Sequence, residues 1–223
     1  MSTSTRATGH SRTAHVLHLR SGALSPDRLQ EMAAALNLGA LAIFPTETVY
    51  GLGTSAFALG GIRRIYQLKG RTWKKPLALL VPSLAAARPL VDEIPAEAVH
   101  LAEAFWPGPL TLVLRASILG QCVTGGLERI AIRVPDHPMA QALLKAVRVP
   151  LATTSVNRSG QDPATSGEQA VRLFGSQVDW VVDGGVCAVR SASSIVDVSH
   201  HPFTVIREGA LSKKKLEAVL FHR

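Results

Sequence analysis

The sequence predicts a single-domain α/β fold, in which a twisted mixed sheet of parallel and antiparallel strands is flanked by helices. Two observations predict it. Apolar runs of four or five residues alternate with amphipathic segments along almost the whole chain. No repeat and no low-complexity linker divides the 223 residues, so residues 15–223 are expected to form one domain that follows a flexible tail at 1–14.

Strand length and helix-capping residues predict the first elements. HVLHL at 15–19 has the length of a short strand. A helix is expected to begin at Ser25 and Pro26, because a hydroxyl cap and an early proline suit a helix start, and to end at Gly39. The apolar run LAIF at 41–44 then predicts a second strand.

The remaining elements continue this alternation, which favours a largely buried mixed sheet. The predicted helices are 62–69, 96–105, 139–147, 168–174 and 213–220. The predicted strands are 77–81, 110–114, 130–134, 150–154, 179–183, 194–198 and 204–207.

The composition describes a folded protein with excess positive charge. Hydrophobic residues make up 47% of the chain and charged residues 18%, which is sufficient for a substantial core. The net charge is +8, and residues 48–91 contain seven Lys or Arg and no acid. An anionic partner is therefore expected, and charge alone does not rank a nucleotide, an RNA or an acidic lipid head group.

Other functional classes lack their signatures. Cys122 and Cys187 are far apart and in no CxxC spacing, so no disulfide framework or zinc site is indicated, and a cytoplasmic, reducing compartment is expected. No apolar run approaches the roughly 18 residues of a membrane span, so no membrane partner is expected. Residues 1–14 also resemble a transit peptide weakly, being rich in Ser, Thr and Arg. No HExxH, GxSxG or Ser-His-Asp arrangement predicts a metal or a nucleophile.

Polar or basic residues follow several predicted strands and one helix. PTETVYGLG at 45–53 offers the hydroxyls of Thr46, Thr48 and Tyr50, and its glycines allow a ligand to approach the backbone. The alternative interpretation is a turn stabilised by hydroxyl groups.

QLKGRTWKKP at 67–76 places Lys69 and Arg71 on either side of Gly70, where a phosphate could come close to the backbone. The alternative interpretation is a solvated helix C-terminus, where the helix dipole favours cations anyway. No Walker lysine motif or GxGxxG supports a phosphate site independently.

Two further groups complete the candidate site. Ser155 and Asn157 are two residues apart, so an extended backbone points both side chains the same way, although an Asx-rich turn with a Thr165–Glu168 capping box would also explain this segment. Arg133 and Arg207 each stand near the end of an apolar strand, where an arginine must face a cleft or form a salt bridge. The joint occurrence of these segments favours one convergent site.

Several ordered blocks now resemble a known family: IFPTETVYGLG, RIYQLKGRTWKKPLALLV, FWPGPLTLVL, IAIRVPDHP, TTSVNRSG, VVDGG and SSIVDVS followed by TVIREG. They are similar to the YrdC family, whose members include the threonylcarbamoyl-AMP synthases, from about Ser25 to Ala210. The resemblance implies a sheet with a positively charged concave face. It also implies a reaction that joins L-threonine, bicarbonate and ATP into threonylcarbamoyl-adenylate and releases pyrophosphate, for N6-threonylcarbamoyladenosine formation in tRNA.

The resemblance also implies roles for single residues. The family's KxR and SxN signature falls on Lys69, Arg71, Ser155 and Asn157, which are the expected catalytic residues. The implied nucleotide contacts are Arg71, Lys75, Asn157, Thr165 and Arg207. The implied L-threonine contacts are Thr48, Arg133, Ser155 and Ser193. Mg²⁺ is expected to arrive with the nucleotide, since no carboxylate cage is apparent.

The chain departs from the family pattern in three places. Some relatives carry a histidine near the amino acid where this chain has Leu80, so that contact is expected to be absent or replaced. Ser193, Ser194 and Ile195 stand where a Ser-Thr-hydrophobic block is usual. Two-domain relatives continue well past the equivalent of Arg207, so the single-domain form is expected.

Two other functions remain open from the sequence. The same basic concave face would suit a non-catalytic module that binds tRNA, double-stranded RNA or ribosome assembly intermediates, with steep salt dependence. A relative acting on another carbamoyl donor would need domains that this chain lacks. The synthase hypothesis also implies downstream tRNA threonylcarbamoyl-transfer proteins as partners, with direct tRNA binding as a further expectation.

Overall fold

The computed structural model describes residues 14–19, 24–73 and 75–221, and the strands among them form one mixed ten-stranded sheet. The strands are β1 (His15–His18), β2 (Ala42–Phe44), β3 (Gly51–Ser55), β4 (Ala78–Leu80), β5 (Leu110–Arg115), β6 (Arg129–Arg133), β7 (Leu151–Ser155), β8 (Trp180–Asp183), β9 (Ser194–Asp197) and β10 (Thr204–Arg207). Their order across the sheet is β1-β8-β2-β3-β7-β4-β6-β5-β9-β10.

Helices pack on both sides of this sheet, so the predicted fold class is confirmed. The described helices are α1 (Pro26–Asn37), α2 (Leu59–Lys69), α3 (Leu84–Ala87), α4 (Ala96–Phe105), α5 (Ile118–Thr124), α6 (Pro138–Val147), α7 (Gly167–Phe174) and α8 (Lys213–Phe221), with a 3-10 turn at Arg88–Leu90. The predicted start of α1 is confirmed, since Ser25 Oγ accepts the N–H of Arg28. The predicted flexible tail lies outside the described residues, apart from Ala14.

Two helices and one strand were not predicted, nor was the 3-10 turn. The helices α3 and α5 are short, and each is capped by a serine hydroxyl, from Ser83 and Ser117. The sequence predicts a ligand-accessible segment or a turn at 45–53, whereas the structure forms the strand β3 at Gly51–Ser55. Burial of this strand explains its glycines, since a Cβ at Gly53 would lie 2.7 Å from Thr153 Cγ2 on the neighbouring strand. Glycine is therefore what permits close strand packing here.

The strand directions are mixed as predicted. The central strands β2, β3, β7 and β4 pair antiparallel in succession, whereas β4 and β6 run parallel. The two margins contain the parallel pairs β1 with β8, β8 with β2, and β5 with β9. Because β4 and β6 run parallel, their carboxyl ends reach the same edge of the sheet.

One face of the sheet is packed with large aliphatic side chains. Leu79, Ile132, Leu112 and Val196 stand side by side in the strand register and are almost fully buried. Helices α2, α4, α7 and α8 cover this face with residues of the same core cluster. This face therefore supplies most of the apolar burial that stabilises the fold.

The opposite face is covered only in part. Helices α1 and α6 pack over its β8–β2 side in a second, smaller core cluster. Beyond them the register brings together Gly53, Thr153 and Ala78, and Ala131 faces Val113. We call this side of β3, β7, β4, β6, β5 and β9 the open face, because Ala78, Ala131, Val113 and Ile195 are only half-buried there. Small side chains leave room above the sheet. None of the described helices has the length and hydropathy of a membrane-spanning segment.

Candidate functional site

Lys69 forms a cluster with the end of β7. It is the last residue of α2, and its Nζ donates to the carbonyl of Ser155 and, over 2.7 Å, to Asn157 Oδ1. Ser155 Oγ donates to the same Oδ1 over 2.7 Å. Asn157 Nδ2 donates to the carbonyl of Gln161 over 2.5 Å, which turns the amide oxygen toward Lys69. The structure therefore brings three of the predicted catalytic residues into direct contact.

The electrostatic setting of Lys69 is unusual. Its side chain is buried, at 4% exposure, and both of its hydrogen-bond acceptors are neutral. Burial, and secondly the positive charge of Arg71, lowers the pKa of Lys69 from 10.5 to about 7. Desolvation disfavours the charged form of a lysine unless an anion compensates it. An incoming anion would therefore strengthen the protonated state of this side chain.

Arg71 lies beside this cluster and is held by oxygen atoms without formal charge. Gly70 caps α2 in the left-handed region, at φ 59°, which turns the chain at the helix end. The guanidinium of Arg71 donates to the carbonyls of Lys75 and Pro76 over 2.8 and 2.9 Å, and to Thr154 Oγ1 over 3.4 Å. Partial burial is the main cause that lowers its pKa. These bonds fix the guanidinium without neutralising it.

Arg133 ends β6 and is almost fully buried. Its Nε donates to the carbonyl of Gly108 over 3.1 Å, and its Nη2 donates to Glu47 Oε1 over 2.6 Å and to Thr48 Oγ1 over 2.8 Å. The salt-bridge alternative considered for this arginine is therefore real. The same contacts also place Arg133 against Thr48, so two predicted amino-acid contacts lie together.

Arg207 is the last residue of β10, and its side chain is hydrogen-bonded to Ser193. Its Nε and Nη2 donate to the Ser193 carbonyl over 2.9 and 2.7 Å, and Nη2 also donates to Ser193 Oγ over 3.2 Å. Ser193 Oγ lies 2.9 Å from Thr111 Oγ1. Part of the Arg207 side chain is exposed to solvent. Even so, partial burial is the first cause that lowers its pKa, followed by the positive charges of Arg133 and Arg71.

These groups converge on the open face. Arg207 and Thr111 both pair with Ile195, and the register in which Leu112 faces Ile132 puts Thr111 and Arg133 on the same side. Arg207 is close enough to Arg133 and Arg71 for their positive charges to lower its pKa. From strand spacing and rise, the Cα atoms of Ser155 and Arg133 are roughly 16 Å apart. The site is thus elongated, with the Lys69 cluster at one end and Arg133 at the other.

Two of the predicted nucleotide contacts lie less centrally. Lys75 is exposed, and its carbonyl rather than its ammonium contacts Arg71. The Oγ1 of Thr165 lies 3.3 Å from Gln169 Oε1, and that oxygen also accepts the Thr165 N–H. The expected Thr165–Glu168 capping box is wrong by one residue, because Ser166 caps α7 and Glu168 instead pairs with Arg172. The hydroxyl of Ser166 accepts the N–H of Gln169 and so marks the start of this helix.

Sequence reasoning missed Glu47, which contacts Arg133 at its end of the site. A usable signal existed, since Glu47 is the acid that directly precedes the acid-free stretch 48–91.

Leu80 lies beside Arg133 in the pairing of β4 with β6 and is buried in the second core cluster. Ser194 is structural, because its hydroxyl bonds to three backbone groups of residues 209–211.

The fold and the site together define an α/β protein with an elongated, cation-lined site on the open face of a mixed sheet. A model of the Sua5/YciO/YrdC family, described as "Telomere recombination", matches residues 34–209. The chain belongs to this family, and the resemblance found in the sequence is confirmed.

Two named relatives and one solved structure place the chain within the family. It is 36% identical to a threonylcarbamoyl-AMP synthase of Pyrococcus abyssi over 86% of this chain and 57% of that one. It is 35% identical to a threonylcarbamoyl-AMP synthase of Halorhodospira halophila over 77% of this chain and 91% of that one. The structure of P. abyssi Sua5 complexed with L-threonine matches at a TM-score of 0.86 and 34% identity, over 93% of this chain and 61% of that one. The chain thus spans little more than half the length of the archaeal relative.

Proposed function

We propose that this chain is an L-threonylcarbamoyladenylate synthase, a nucleotidyltransferase that condenses L-threonine, bicarbonate and ATP into threonylcarbamoyl-AMP and pyrophosphate. The relatives' names support the reaction, and the L-threonine bound to the P. abyssi structure supports the amino acid. We place the activity in a domain spanning residues 15–223. The 91% coverage of the H. halophila relative supports a domain of this extent.

One observation carries the proposal. The ion pairs found among the described residues do not include Lys69, Arg71 or Arg207. Each of the three is instead held by carbonyl, amide or hydroxyl oxygens. Partly buried cations without a carboxylate partner are costly, and a polyanion such as a triphosphate would offset that cost. The arrangement is therefore suited to bind the nucleotide.

The proposed chemistry needs no covalent bond to the protein. The threonine amine first captures bicarbonate or CO₂, and a carbamate oxygen then attacks the α-phosphorus in line while the bond to pyrophosphate breaks. Water and pyrophosphate are the other products. Lys69, Arg71 and Arg207 would hold the phosphates and stabilise the charge that develops during the displacement. Asn157, Lys75 and Thr165 are the remaining proposed nucleotide contacts.

The opposite end of the site would hold the amino acid. Arg133 and Thr48 are in contact with each other, and Ser193 lies under Arg207. We propose that these groups bind L-threonine, with its carboxylate toward Arg133, and that Ser155 contacts the bound molecule from the Lys69 end of the site. Among the described residues, no group of three or more His, Cys, Asp or Glu is arranged to hold a metal ion. Mg²⁺ would accordingly enter with ATP as part of the substrate.

Release of pyrophosphate from ATP tests the proposal, with L-threonine and bicarbonate each omitted in turn. We expect release to require both. The alternative, an RNA-binding module that uses the same basic face, predicts no threonine-dependent release and an RNA affinity that falls steeply with salt. Pyrophosphate release that ignores threonine would reject the synthase proposal.

A further inference from the structure

Glu47 is a buried carboxylate at the centre of the amino-acid end of the site, with 8% exposure. Its Oε1 accepts Arg133 Nη2 over 2.6 Å, and its Oε2 accepts the N–H of Asp136 over 3.1 Å. Its backbone carbonyl accepts the N–H of Val189 over 2.8 Å. One residue thus connects the β2–β3 turn, the end of β6 and the segment between β8 and β9.

These contacts leave one side of the Arg133 guanidinium available. The protein engages its Nε through Gly108 and its Nη2 through Glu47 and Thr48. Within the described residues, Thr54 Oγ1 is the buried side-chain polar atom that lacks a partner. Nη1 of Arg133, for which the described residues supply no acceptor, must therefore reach solvent. Its two N–H groups point out of a guanidinium that is otherwise immobilised.

Glu47 also makes Arg133 electrically different from the other cations of the site. Arg133 has a carboxylate partner at 2.6 Å, whereas Arg71 and Arg207 donate to uncharged oxygens. A triphosphate is attracted most strongly by uncompensated charge. A monocarboxylate can still accept a hydrogen bond from the fixed Nη1 of a neutralised guanidinium, because that interaction depends on geometry as well as on charge.

We propose that Glu47 is a positioning residue that orients Arg133 and, by neutralising it, reserves the free Nη1 edge for the carboxylate of the amino-acid substrate. The phosphates are thereby directed away from Arg133 and toward Lys69, Arg71 and Arg207. This inference rests on the proposed function.

The variant Glu47→Gln tests the role of the carboxylate at nearly constant shape. An amide has one oxygen and one nitrogen, so either Arg133 or the Asp136 N–H loses its acceptor in any orientation. Glu47→Asp keeps the charge on a shorter side chain. Glu168→Gln is the matched control, because it removes a carboxylate from the exposed pair with Arg172.

Steady-state pyrophosphate release then separates positioning from folding. For Glu47→Gln we expect the KM for L-threonine to rise by about tenfold or more while the KM for ATP stays within about twofold. Inorganic phosphate should inhibit this variant more strongly, in competition with threonine, because Arg133 is no longer neutralised. Glu47→Asp should restore resistance to phosphate, and the Glu168→Gln control should match the wild type in every respect.

Other outcomes would overturn the inference. A Glu47→Gln variant that binds threonine and phosphate like the wild type shows that the carboxylate positions nothing. Equal increases in the KM values for threonine and ATP would indicate general damage to the site instead of a positioning role for Glu47. If the wild type shows no threonine-dependent release, the proposed function fails by itself. Calorimetric titration with inorganic phosphate then decides the role of Glu47, with tighter binding to Glu47→Gln supporting it and equal binding rejecting it.

Discussion

The two ends of the candidate site hold their positive charges in opposite ways. Arg133 is buried against Glu47 at 2.6 Å and belongs to a neutral pair. Lys69 is equally buried, yet it donates only to Ser155 and Asn157, which are uncharged at these atoms. Burial of a cation therefore does not by itself reveal its role. The carboxylate beside a paired cation offsets its desolvation within the protein, whereas the desolvation of an unpaired cation is a cost that a ligand can offset.

Arg133→Met should show the largest effect on stability. The substitution leaves Glu47 as a buried carboxylate without its cation, which costs about 3–5 kcal/mol when one partner of a buried pair is removed. The free energy of unfolding from urea titration measures this loss. The double variant Arg133→Met/Glu47→Leu should recover much of it, because no buried charge remains. If the double variant is as unstable as the sum of the singles, the pair is not coupled in the way the 2.6 Å contact indicates.

Lys69→Met should strongly reduce activity without reducing stability. Loss of this charge should reduce kcat/KM for pyrophosphate release about 100- to 1,000-fold, the usual effect of removing one preorganised donor from a developing charge. The free energy of unfolding should stay equal or rise, since the removed ammonium has no carboxylate partner. Lys145→Met, on an exposed position of α6, is the control and should change neither quantity. Near-normal turnover in Lys69→Met would exclude Lys69 from the catalytic machinery.

Most of the architecture could be predicted from the sequence, because apolar runs and helix caps are local signals. The strand β3 was not predicted, since the close packing of Gly53 against Thr153 arises only between strands distant in sequence. Lys69, Arg71, Ser155 and Asn157 could be named as a group, but their mutual bonds could not be foreseen. Glu47 was missed for the same reason. Its importance lies in Arg133, 86 positions away along the chain.

The pH dependence of stability gives a smaller and more specific test of the unpaired end. Lys69 has a pKa of about 7 in the folded protein against an ordinary value of 10.5. Between these values the unfolded chain binds more protons than the folded chain at this residue, so its contribution to stability rises with pH. The slope cannot exceed about 1.4 kcal/mol per pH unit for one group. Urea titrations at pH 7, 8 and 9 should show this rise in the wild type and a flatter profile in Lys69→Met. Parallel profiles would mean that Lys69 keeps an ordinary pKa.

Thr54 is a buried neutral group without a partner in the part of the chain that the structure describes, and it lies on the sheet face that is packed with aliphatic side chains. Its side chain is fully buried in β3, and its Oγ1 has no hydrogen-bond partner among the described residues. Unlike Lys69, it faces no cleft from which a ligand could satisfy it. A buried hydroxyl without a partner is destabilising, so Thr54→Val should raise the free energy of unfolding by about 1 kcal/mol. Thr54→Ser keeps the hydroxyl and loses the methyl group, so it should be less stable than the wild type. A loss of stability in Thr54→Val would show that the hydroxyl has a hydrogen-bond partner in solution. Lys69 would then be the better example of a buried group without a partner of its own kind.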